Sequence, residues 1–331
     1  MFATYVHDLD PVIFRINDAI ALRWYGLAYL AAFVVGALLL ERMSRRQLWV
    51  LPPGSAGDFI ASAAIFGVFI GGRLGYMFYY WPQEHGWAWL WQEPWVVLEV
   101  WKGGMASHGG ILGLVVFTWF YARKKKVSWM GLGDGLCVVA PLGLMFGRIA
   151  NFINGELYGR TAEGVAWAMK FPSTLVERPK VEGLRIAEAL DAAAAADERL
   201  AQAFVGTPST LHFERMLEAQ RENPAVSRAI EPFLEPRHPS QLYEAILEGA
   251  LLFAVLWFVR VRFPGAPHGL LTGLFFILYA VFRILGEHFR EPDASLVGPL
   301  TSGQFLSLFM ILGGAAFLLA AKRRDPLSAE S

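Results

Sequence analysis

Apolar side chains form long runs along this chain, and shorter polar segments separate the runs. A helix that crosses the hydrocarbon core of a membrane needs roughly 20 mainly apolar residues, and about seven runs reach that length. They predict helices near residues 18–41, 57–81, 104–122, 134–153, 240–260, 268–289 and 302–321. The pattern therefore predicts an all-α polytopic membrane protein with seven transmembrane helices.

The composition supports the same fold class. Of the 331 residues, 55% are hydrophobic and only 18% are charged, and the mean hydropathy is +0.39. An ordinary soluble domain is less apolar than this. Cys137 is the single cysteine and lies inside a predicted helix, which excludes an intramolecular disulfide and a thiolate metal cluster.

Basic residues predict the orientation, because short loops and helix ends on the cytoplasmic side are enriched in Lys and Arg. Such residues follow the first, third, fifth and seventh predicted helices: Arg42, Arg45, Arg46, Arg123, Lys124, Lys125, Lys126, Arg260, Arg262, Lys322, Arg323 and Arg324. We therefore expect the N-terminus outside and the C-terminus in the cytoplasm. Residues 1–153 would hold helices 1–4, residues 154–238 a small periplasmic head, and residues 239–331 helices 5–7 with a cytoplasmic tail.

Two segments outside the helices have distinctive patterns. Residues 82–103 are rich in tryptophan, which suits either an interfacial arm on the outer membrane surface or an aromatic loop packed on the helices. In the head, residues 183–204 and 210–223 favour helices, and residues 164–172 favour a strand. The head carries no catalytic signature of its own.

Charged side chains inside the apolar runs are the strongest functional signal, because such charges need a partner or a ligand. Arg73, Arg148 and Arg283 each precede Leu or Ile in the outer half of predicted helices 2, 4 and 6, and His108 lies near the outer end of helix 3. We expect these four side chains to converge at one depth. Three glutamates lie near enough to pair with the arginines: Glu156, Glu244 and Glu287. A guanidinium also matches a phosphate bidentately, and the phosphate available at that depth belongs to a lipid headgroup.

Structural alternatives stay open for several of these residues. Arg73 can pair with a carbonyl or a glutamate inside the bundle, and Glu287, four residues after Arg283, can form an ion pair with it. Asn151 and Glu156 can cap the end of the fourth helix. His108 can be a satisfied interior histidine, or, at a helix N-terminus near arginines, a neutral imidazole that accepts a proton.

Six motifs in this order resemble the bacterial prolipoprotein diacylglyceryl transferase family. The motifs are RWYGLAYL (23–30), GGRLGY (71–76), HGGILG (108–113), GRIANFINGELYGR (147–160), RHPSQLYE (237–244) and FRILGEHFREPD (282–293). The resemblance spans nearly the whole membrane part and is weakest in the head, at about 161–235.

The resemblance implies transfer of the diacylglyceryl unit from phosphatidylglycerol to the lipobox cysteine of a prolipoprotein signal peptide, with release of glycerol phosphate. This reaction would take place at the bacterial inner membrane, toward the outer leaflet. The substrate supplies the thiol, so the enzyme needs no nucleophile, and neither a cofactor, a metal nor a nucleic acid partner is expected.

Residue roles follow from the resemblance and from the charges together. His108 is the candidate base for the thiol, and Arg148 and Arg283 are the candidates that stabilise the departing phosphate. Besides these two arginines, the residues expected to bind phosphatidylglycerol are Tyr25, Asn151, Glu156, Gly159, Glu287 and Arg73.

Three other functions are compatible with parts of the pattern. A lipid transporter or flippase would also use intramembrane arginines and glycine-rich helices, but no matching inner set of arginines completes a transport path. An intramembrane protease would need a serine motif such as G-x-S-x-G beside the histidine, and none is found. A purely structural scaffold would leave the cost of the intramembrane charges unexplained.

Overall fold

Seven long helices dominate the computed structural model, which describes residues 4–15, 17, 21–99, 103–177, 179–204, 210–291 and 300–321. These helices are α1 (Trp24–Arg45), α2 (Ala56–Gln83), α3 (Ser107–Lys125), α4 (Trp129–Asn154), α5 (Ser240–Arg262), α6 (Leu270–Glu287) and α7 (Ser302–Ala320). The described residues also contain short strands: β1 (Tyr5–Val6), β2 (Val12–Arg15), β3 (Ala21–Arg23), β4 (Met169–Lys170) and β5 (Pro236–Arg237). The predicted helical class is confirmed.

The long helices keep most of their apolar surface exposed. Among the described residues, six helices are long and apolar enough to cross a membrane, namely α1, α2, α4, α5, α6 and α7, and at most 33% of each span is buried inside the protein. Exposed apolar faces of this extent suit a lipid environment. The remaining long helix, α3, ends on Arg123, Lys124 and Lys125. The number of seven spans and their orientation stay predictions.

The start of the first helix differs from the prediction. The apolar run predicts a helix from residue 18, but α1 begins at Trp24, and residues 21–23 form β3, which pairs antiparallel with β2. Residues 18–20 lie outside the described part of the chain. A short apolar run cannot distinguish a strand from a helix by its pattern alone, and here the extended segment β2 supplies the pairing partner.

Two long helices depart from regular α geometry. In α2, residues Ala63–Phe69 and Tyr76–Tyr80 have π-helical winding, and in α5 residues Ala245–Leu251 do. Such segments are rare and often accompany functional sites. The segment in α5 contains a buried glutamate, Glu248.

The chain divides into two compact units, and most long helices contribute to both. Unit 1 contains Met1–Tyr29, Leu144–Ala250 and Ala280–Phe309, and unit 2 contains Leu30–Gly143, Leu251–Tyr279 and Met310–Ser331. The predicted division at residues 153 and 238 stays a prediction.

Within unit 1, the segment between α4 and α5 forms a small helical core beside a short sheet. β4 pairs with β1 in parallel and with β5 antiparallel. The helices here are Thr174–Glu177, Pro179–Ala196, Glu198–Ala203, Thr210–Glu222 and Pro224–Ile230. Their core includes Leu175, Ala193, Met216, Val226 and Ile230. The predicted strand within 164–172 and the helices expected within 183–204 and 210–223 are confirmed.

Within unit 2, glycines allow α2 and α3 to pack backbone against backbone. A Cβ atom added to Gly71 would lie 2.5 Å from the carbonyl oxygen of Gly109 and 2.8 Å from the Cα of Gly113, and one added to Gly75 would lie 2.5 Å from the Cα of Gly109. Small residues permit this approach between membrane helices. Gly71, Gly75, Gly109 and Gly113 therefore form a helix-packing set.

The tryptophan-rich segment after α2 is also part of unit 2. It contains the short helices Trp89–Gln92 and Pro94–Leu98. Val96 is buried against Met77 of α2, whereas the side chain of Trp91 is 70% exposed. Both features suit a segment that is fixed to α2 and presents aromatic rings outward, and the interfacial location stays a prediction.

Candidate active site

Arg148, in the last turns of α4, faces two buried glutamates of α5. Its Nε atom lies 2.9 Å from Oε2 of Glu244, and its Nη2 atom donates a 3.5 Å hydrogen bond to Oε2 of Glu248. Both glutamate side chains are 0% exposed, and Arg148 is 18% exposed. The helices can come this close at this level because Gly249 of α5 lies against Met145 of α4, where an added Cβ would be 2.5 Å from the Met145 Cβ.

Arg283, near the end of α6, contacts the same two glutamates from another direction. Its Nη1 atom donates a 2.9 Å hydrogen bond to Oε1 of Glu244 and lies 3.7 Å from Oε1 of Glu248. Its Nη2 atom pairs with Glu287, one helical turn later. The ion pair between Arg283 and Glu287 that the sequence left open is therefore present, alongside a second pair with Glu244.

Arg290 adds a third guanidinium. Its Nη1 atom lies 3.1 and 3.2 Å from the two carboxylate oxygens of Glu244. Glu244 therefore forms ion pairs with three arginines, one from α4 and two from the end of α6 and the segment after it. We call these six side chains the arginine–glutamate cluster: Arg148, Arg283, Arg290, Glu244, Glu248 and Glu287. Charge-assisted hydrogen bonds of this kind are strong, and a buried charge requires them.

The cluster is open on its arginine side. Arg148 and Arg283 are 18% and 14% exposed, whereas Glu244 and Glu248 are fully buried. Within the described residues, the Nη1 group of Arg148 takes no part in the contacts with Glu244 and Glu248, which use Nε and Nη2. The accessible side chains of Arg148 and Arg283 therefore belong to the residue type that binds anions.

A second polar group in unit 1 joins Tyr25, Asn151 and Glu156. The Tyr25 hydroxyl hydrogen-bonds to Oε1 of Glu156 and accepts from Nδ2 of Asn151. Nδ2 of Asn151 also donates to the same glutamate oxygen over 2.9 Å. Asn151 lies one helical turn after Arg148 on α4. Tyr25, Asn151 and Glu156, which the sequence analysis lists as phosphatidylglycerol-binding residues, are therefore in contact with one another.

The loop after α4 is attached to the start of α5. Gln241 Nε2 donates a 2.6 Å hydrogen bond to the Glu156 carbonyl oxygen, and Ser240 Oγ donates a 3.1 Å bond to the Leu157 carbonyl oxygen. Gly159 lies in this loop, and its N–H donates to the His238 carbonyl oxygen over 2.8 Å. A Cβ atom at Gly159 would lie 2.6 Å from that oxygen. The Gly159 carbonyl oxygen also accepts a 3.4 Å hydrogen bond from Nη1 of Arg237, and the substrate-binding role of Gly159 stays a prediction.

Arg73 is surrounded by backbone carbonyl groups in unit 2. It is 5% exposed and donates hydrogen bonds to the carbonyl oxygens of Val96 (2.6 Å), Val97 (2.9 Å), Glu99 (3.3 Å), Gly103 (2.6 Å) and Gly104 (3.0 Å). This is the carbonyl alternative that the sequence left open. The hydrogen bonds of Arg73 connect the tryptophan-rich segment to α2. The expected contact of Arg73 with phosphatidylglycerol stays a prediction.

His108 is the second residue of α3, in unit 2, and it is exposed. Its position at a helix N-terminus agrees with the expectation from the sequence. The predicted convergence of His108 and Arg73 with Arg148 and Arg283 stays a prediction.

Two residues of the cluster had no role in the sequence analysis, namely Glu248 and Arg290. Glu248 follows Glu244 by four residues, a spacing that places two side chains on the same face of a helix. A charged residue within an apolar run is itself a functional signal. Arg290 belongs to the motif at 282–293. In the described part of the chain, no group of three or more His, Cys, Asp or Glu side chains could hold a metal ion.

Comparison with known proteins gives one consistent family. A family model described as prolipoprotein diacylglyceryl transferase matches residues 11–320. A phosphatidylglycerol–prolipoprotein diacylglyceryl transferase of Bdellovibrio bacteriovorus is 40% identical over 340 residues, which cover 97% of this chain and 95% of the relative. Transferases of the same name from Shigella boydii and Escherichia coli O1:K1 are each 36% identical, with 98% of both chains covered.

Proposed function

The chain belongs to the prolipoprotein diacylglyceryl transferase family, and on this premise we propose that it transfers the diacylglyceryl group of phosphatidylglycerol to a prolipoprotein. The observation that carries the proposal is the arginine–glutamate cluster. Its two partly exposed members, Arg148 and Arg283, offer guanidinium groups to an anion between apolar helices. A phospholipid headgroup combines that anion with the apolar chains that such helices contact.

The phosphodiester is the part of the lipid that the arginines recognise. Arg148 and Arg283 each hold Glu244 with one nitrogen atom, so the shared glutamate fixes both guanidinium groups before a ligand binds. A planar guanidinium matches two phosphate oxygens. Preorganised cations also stabilise the negative charge that develops on a leaving phosphate. The same two residues therefore serve binding and catalysis in this proposal.

The reaction replaces a carbon–oxygen bond by a carbon–sulfur bond. The lipobox cysteine thiol loses its proton, and the thiolate attacks the glycerol carbon that carries the phosphate ester. The carbon–oxygen bond to the phosphate breaks, and glycerol phosphate leaves with the bonding electron pair. A thiolate is the reactive form of cysteine, and His108, exposed at the start of α3, is the proposed proton acceptor.

Tyr25, Asn151 and Glu156 are proposed to bind the polar end of phosphatidylglycerol. Their mutual hydrogen bonds place a hydroxyl, an amide and a carboxylate side by side. Such groups suit the hydroxyls of the free glycerol, which both donate and accept hydrogen bonds. The acceptor is proposed to be the lipobox of a signal peptide, and the site is proposed to face the outer leaflet of the bacterial inner membrane.

The test is mass spectrometry of a fluorescent lipobox peptide after incubation with the detergent-purified full chain and phosphatidylglycerol. A diacylglyceryl mass gain on the cysteine peptide, and none on a Cys→Ser peptide, would support the reaction. In the same assay Arg148→Ala should lower the rate by about 100-fold or more, the loss typical for a preorganised electrostatic group. Gly147→Ala is the matched control, because an added Cβ meets nothing within 4 Å.

The same experiment distinguishes the transporter alternative. A folded wild-type protein that keeps phosphatidylglycerol bound and modifies no peptide would contradict the transferase and favour a lipid-binding or lipid-transporting protein. An Arg148→Ala protein with wild-type activity would contradict the proposed role of Arg148 and leave the reaction itself in place.

A further inference from the structure

The arginine–glutamate cluster is formally neutral before a lipid binds. It contains three arginines and three glutamates, joined by the ion pairs described above. A phosphodiester that binds at Arg148 and Arg283 adds one negative charge. Most of the cluster is buried, and an uncompensated charge in such a place is costly. Uptake of one proton by a carboxylate would restore neutrality.

The three glutamates differ in the ion-pair interactions that they would lose on protonation. Glu244 forms ion pairs with Arg148, Arg283 and Arg290 over 2.9 to 3.2 Å, so its negative charge is well compensated. Glu287 pairs closely with Arg283.

The ion pairs of Glu248 are longer, and therefore weaker, than those of Glu244 and Glu287. Its contacts with Arg148 and Arg283 are 3.5 and 3.7 Å long. In the described part of the chain its Oε1 atom is buried and has no hydrogen-bond donor. Glu248 is therefore the carboxylate that loses least when it becomes neutral.

A bound phosphate would weaken Glu248 further. In the described part of the chain, the hydrogen bond to Glu248 comes from Nη2 of Arg148, while Nε of Arg148 pairs with Glu244. A phosphate oxygen that takes Nη2 would leave the Glu248 carboxylate buried without a donor. A buried carboxylate in this state favours its neutral form.

We propose that Glu248 takes up a proton when a phosphodiester headgroup binds at Arg148 and Arg283, so that lipid binding is coupled to protonation. This inference rests on the proposed function. The charged groups that face Glu248 are Arg148 of α4, Glu244 of α5 and Arg283 of α6, and these in turn contact Glu287 and Arg290. Arginines stay charged at any accessible pH, so a glutamate must accept the proton.

The experiment is titration calorimetry of the full chain in detergent with dioctanoyl phosphatidylglycerol, without peptide, in two buffers of different ionisation enthalpy. At pH 7.5 the wild type should take up about one proton per lipid bound, and its affinity should fall by about tenfold per pH unit between pH 7.5 and 9. This range lies above the ordinary pKa of histidine, about 6.5. Glu248→Gln should bind the lipid with little proton uptake and little pH dependence.

Glu218→Gln serves as the control, because Glu218 is 53% exposed and its ion-pair partner Arg15 is 57% exposed. It should behave as the wild type does. The inference would be overturned if the wild type bound the lipid without proton uptake, or if Glu248→Gln took up as many protons as the wild type does. If Glu248→Gln fails to fold, the wild-type measurement alone decides. A wild type that binds the lipid without proton uptake, yet modifies the lipobox peptide in the transfer assay, would overturn the inference alone. A wild type that binds no phosphatidylglycerol would overturn the proposed function with it.

Discussion

Gly303, in the first turn of α7, lies against the ion pair that Glu287 makes with Arg283. A Cβ atom added to Gly303 would lie 2.9 Å from Cδ of Glu287 and 3.0 Å from Nε of Arg283. Only a hydrogen atom fits between the α7 backbone and this pair. The glycine therefore determines where the Arg283 guanidinium can lie.

We predict that Gly303→Ala lowers transferase activity without unfolding the protein. The new methyl group must displace the ends of two side chains, and a shift of about 1 Å in a catalytic group costs about 100-fold in rate. We expect a loss of 10- to 100-fold, about the range that a partial shift would give. Peptide modification and the thermal midpoint in detergent are the measurements. Gly313→Ala on the same helix is the control, because its Cβ would meet nothing within 4 Å, and equal activities of the two variants would contradict the prediction.

The fold class follows from the sequence because long apolar runs leave few alternatives for a chain in a membrane. The sequence predicts the first and last residues of the helices less accurately. Residues 21–23 were predicted as helix and are strand β3, because their pairing with β2 is a tertiary contact that the apolar run does not contain. The π-helical segments of α2 and α5 have no signal in the pattern that predicts a helix.

The sequence predicts which residues belong to the site better than it predicts which of them contact one another. The family resemblance predicts that Tyr25, Asn151 and Glu156 bind phosphatidylglycerol. The structure shows that these three side chains contact one another, and their binding role stays a prediction. For Arg73 the sequence left two alternatives, and only the structure shows that carbonyl groups surround it. Glu248 was missed because one glutamate in an apolar run does not reveal which arginine it faces.

We predict that Glu244→Gln strongly destabilises the protein. Glu244 is fully buried and compensates three arginines, and the neutral amide would leave their charges unbalanced. Breaking a buried ion pair by removal of one partner costs about 3–5 kcal/mol. The measurement is the thermal midpoint of the purified protein, together with its folded yield.

The control for this prediction is again Glu218→Gln. Its ion pair with Arg15 is more than half exposed at both ends, and exposed pairs contribute about 0–1 kcal/mol. The thermal midpoint of Glu218→Gln should therefore stay close to that of the wild type. If Glu244→Gln were equally stable, Glu244 would not be the charge that holds the three arginines.

We predict that Gly71→Ala destabilises the packing of α2 on α3. The added Cβ meets backbone atoms at 2.5 and 2.8 Å, so the helices must separate, and overpacking of this kind typically costs about 1–3 kcal/mol. Gly57→Ala is the control, since it lies on the same helix α2 with nothing within 4 Å of the added Cβ. The thermal midpoint should fall for Gly71→Ala alone. Equal midpoints would show that the close approach of α2 and α3 does not limit stability.

We predict that His7 makes unit 1 sensitive to acid. His7 is 5% exposed, and its ring packs 5.4 Å from the rings of both Phe152 and Phe171. Burial lowers the pKa of His7 below its ordinary value of 6.5. The unfolded chain therefore binds the proton more tightly than the folded chain does. The contribution of neutral, buried His7 to the free energy of unfolding is complete above pH 6.5. This contribution decreases as the pH falls below that value.

The thermal midpoint at pH 7.5 and at pH 5.5 measures this loss in the wild type and in His7→Gln. Each pKa unit by which burial lowers the folded value corresponds to about 1.4 kcal/mol. We expect a smaller acid-induced decrease in His7→Gln, which has no titrating ring, even if its midpoint at pH 7.5 is already lower. His288→Gln is the control, because His288 is exposed, and it should keep the wild-type decrease. A decrease of the same size in His7→Gln would assign the acid sensitivity to other groups.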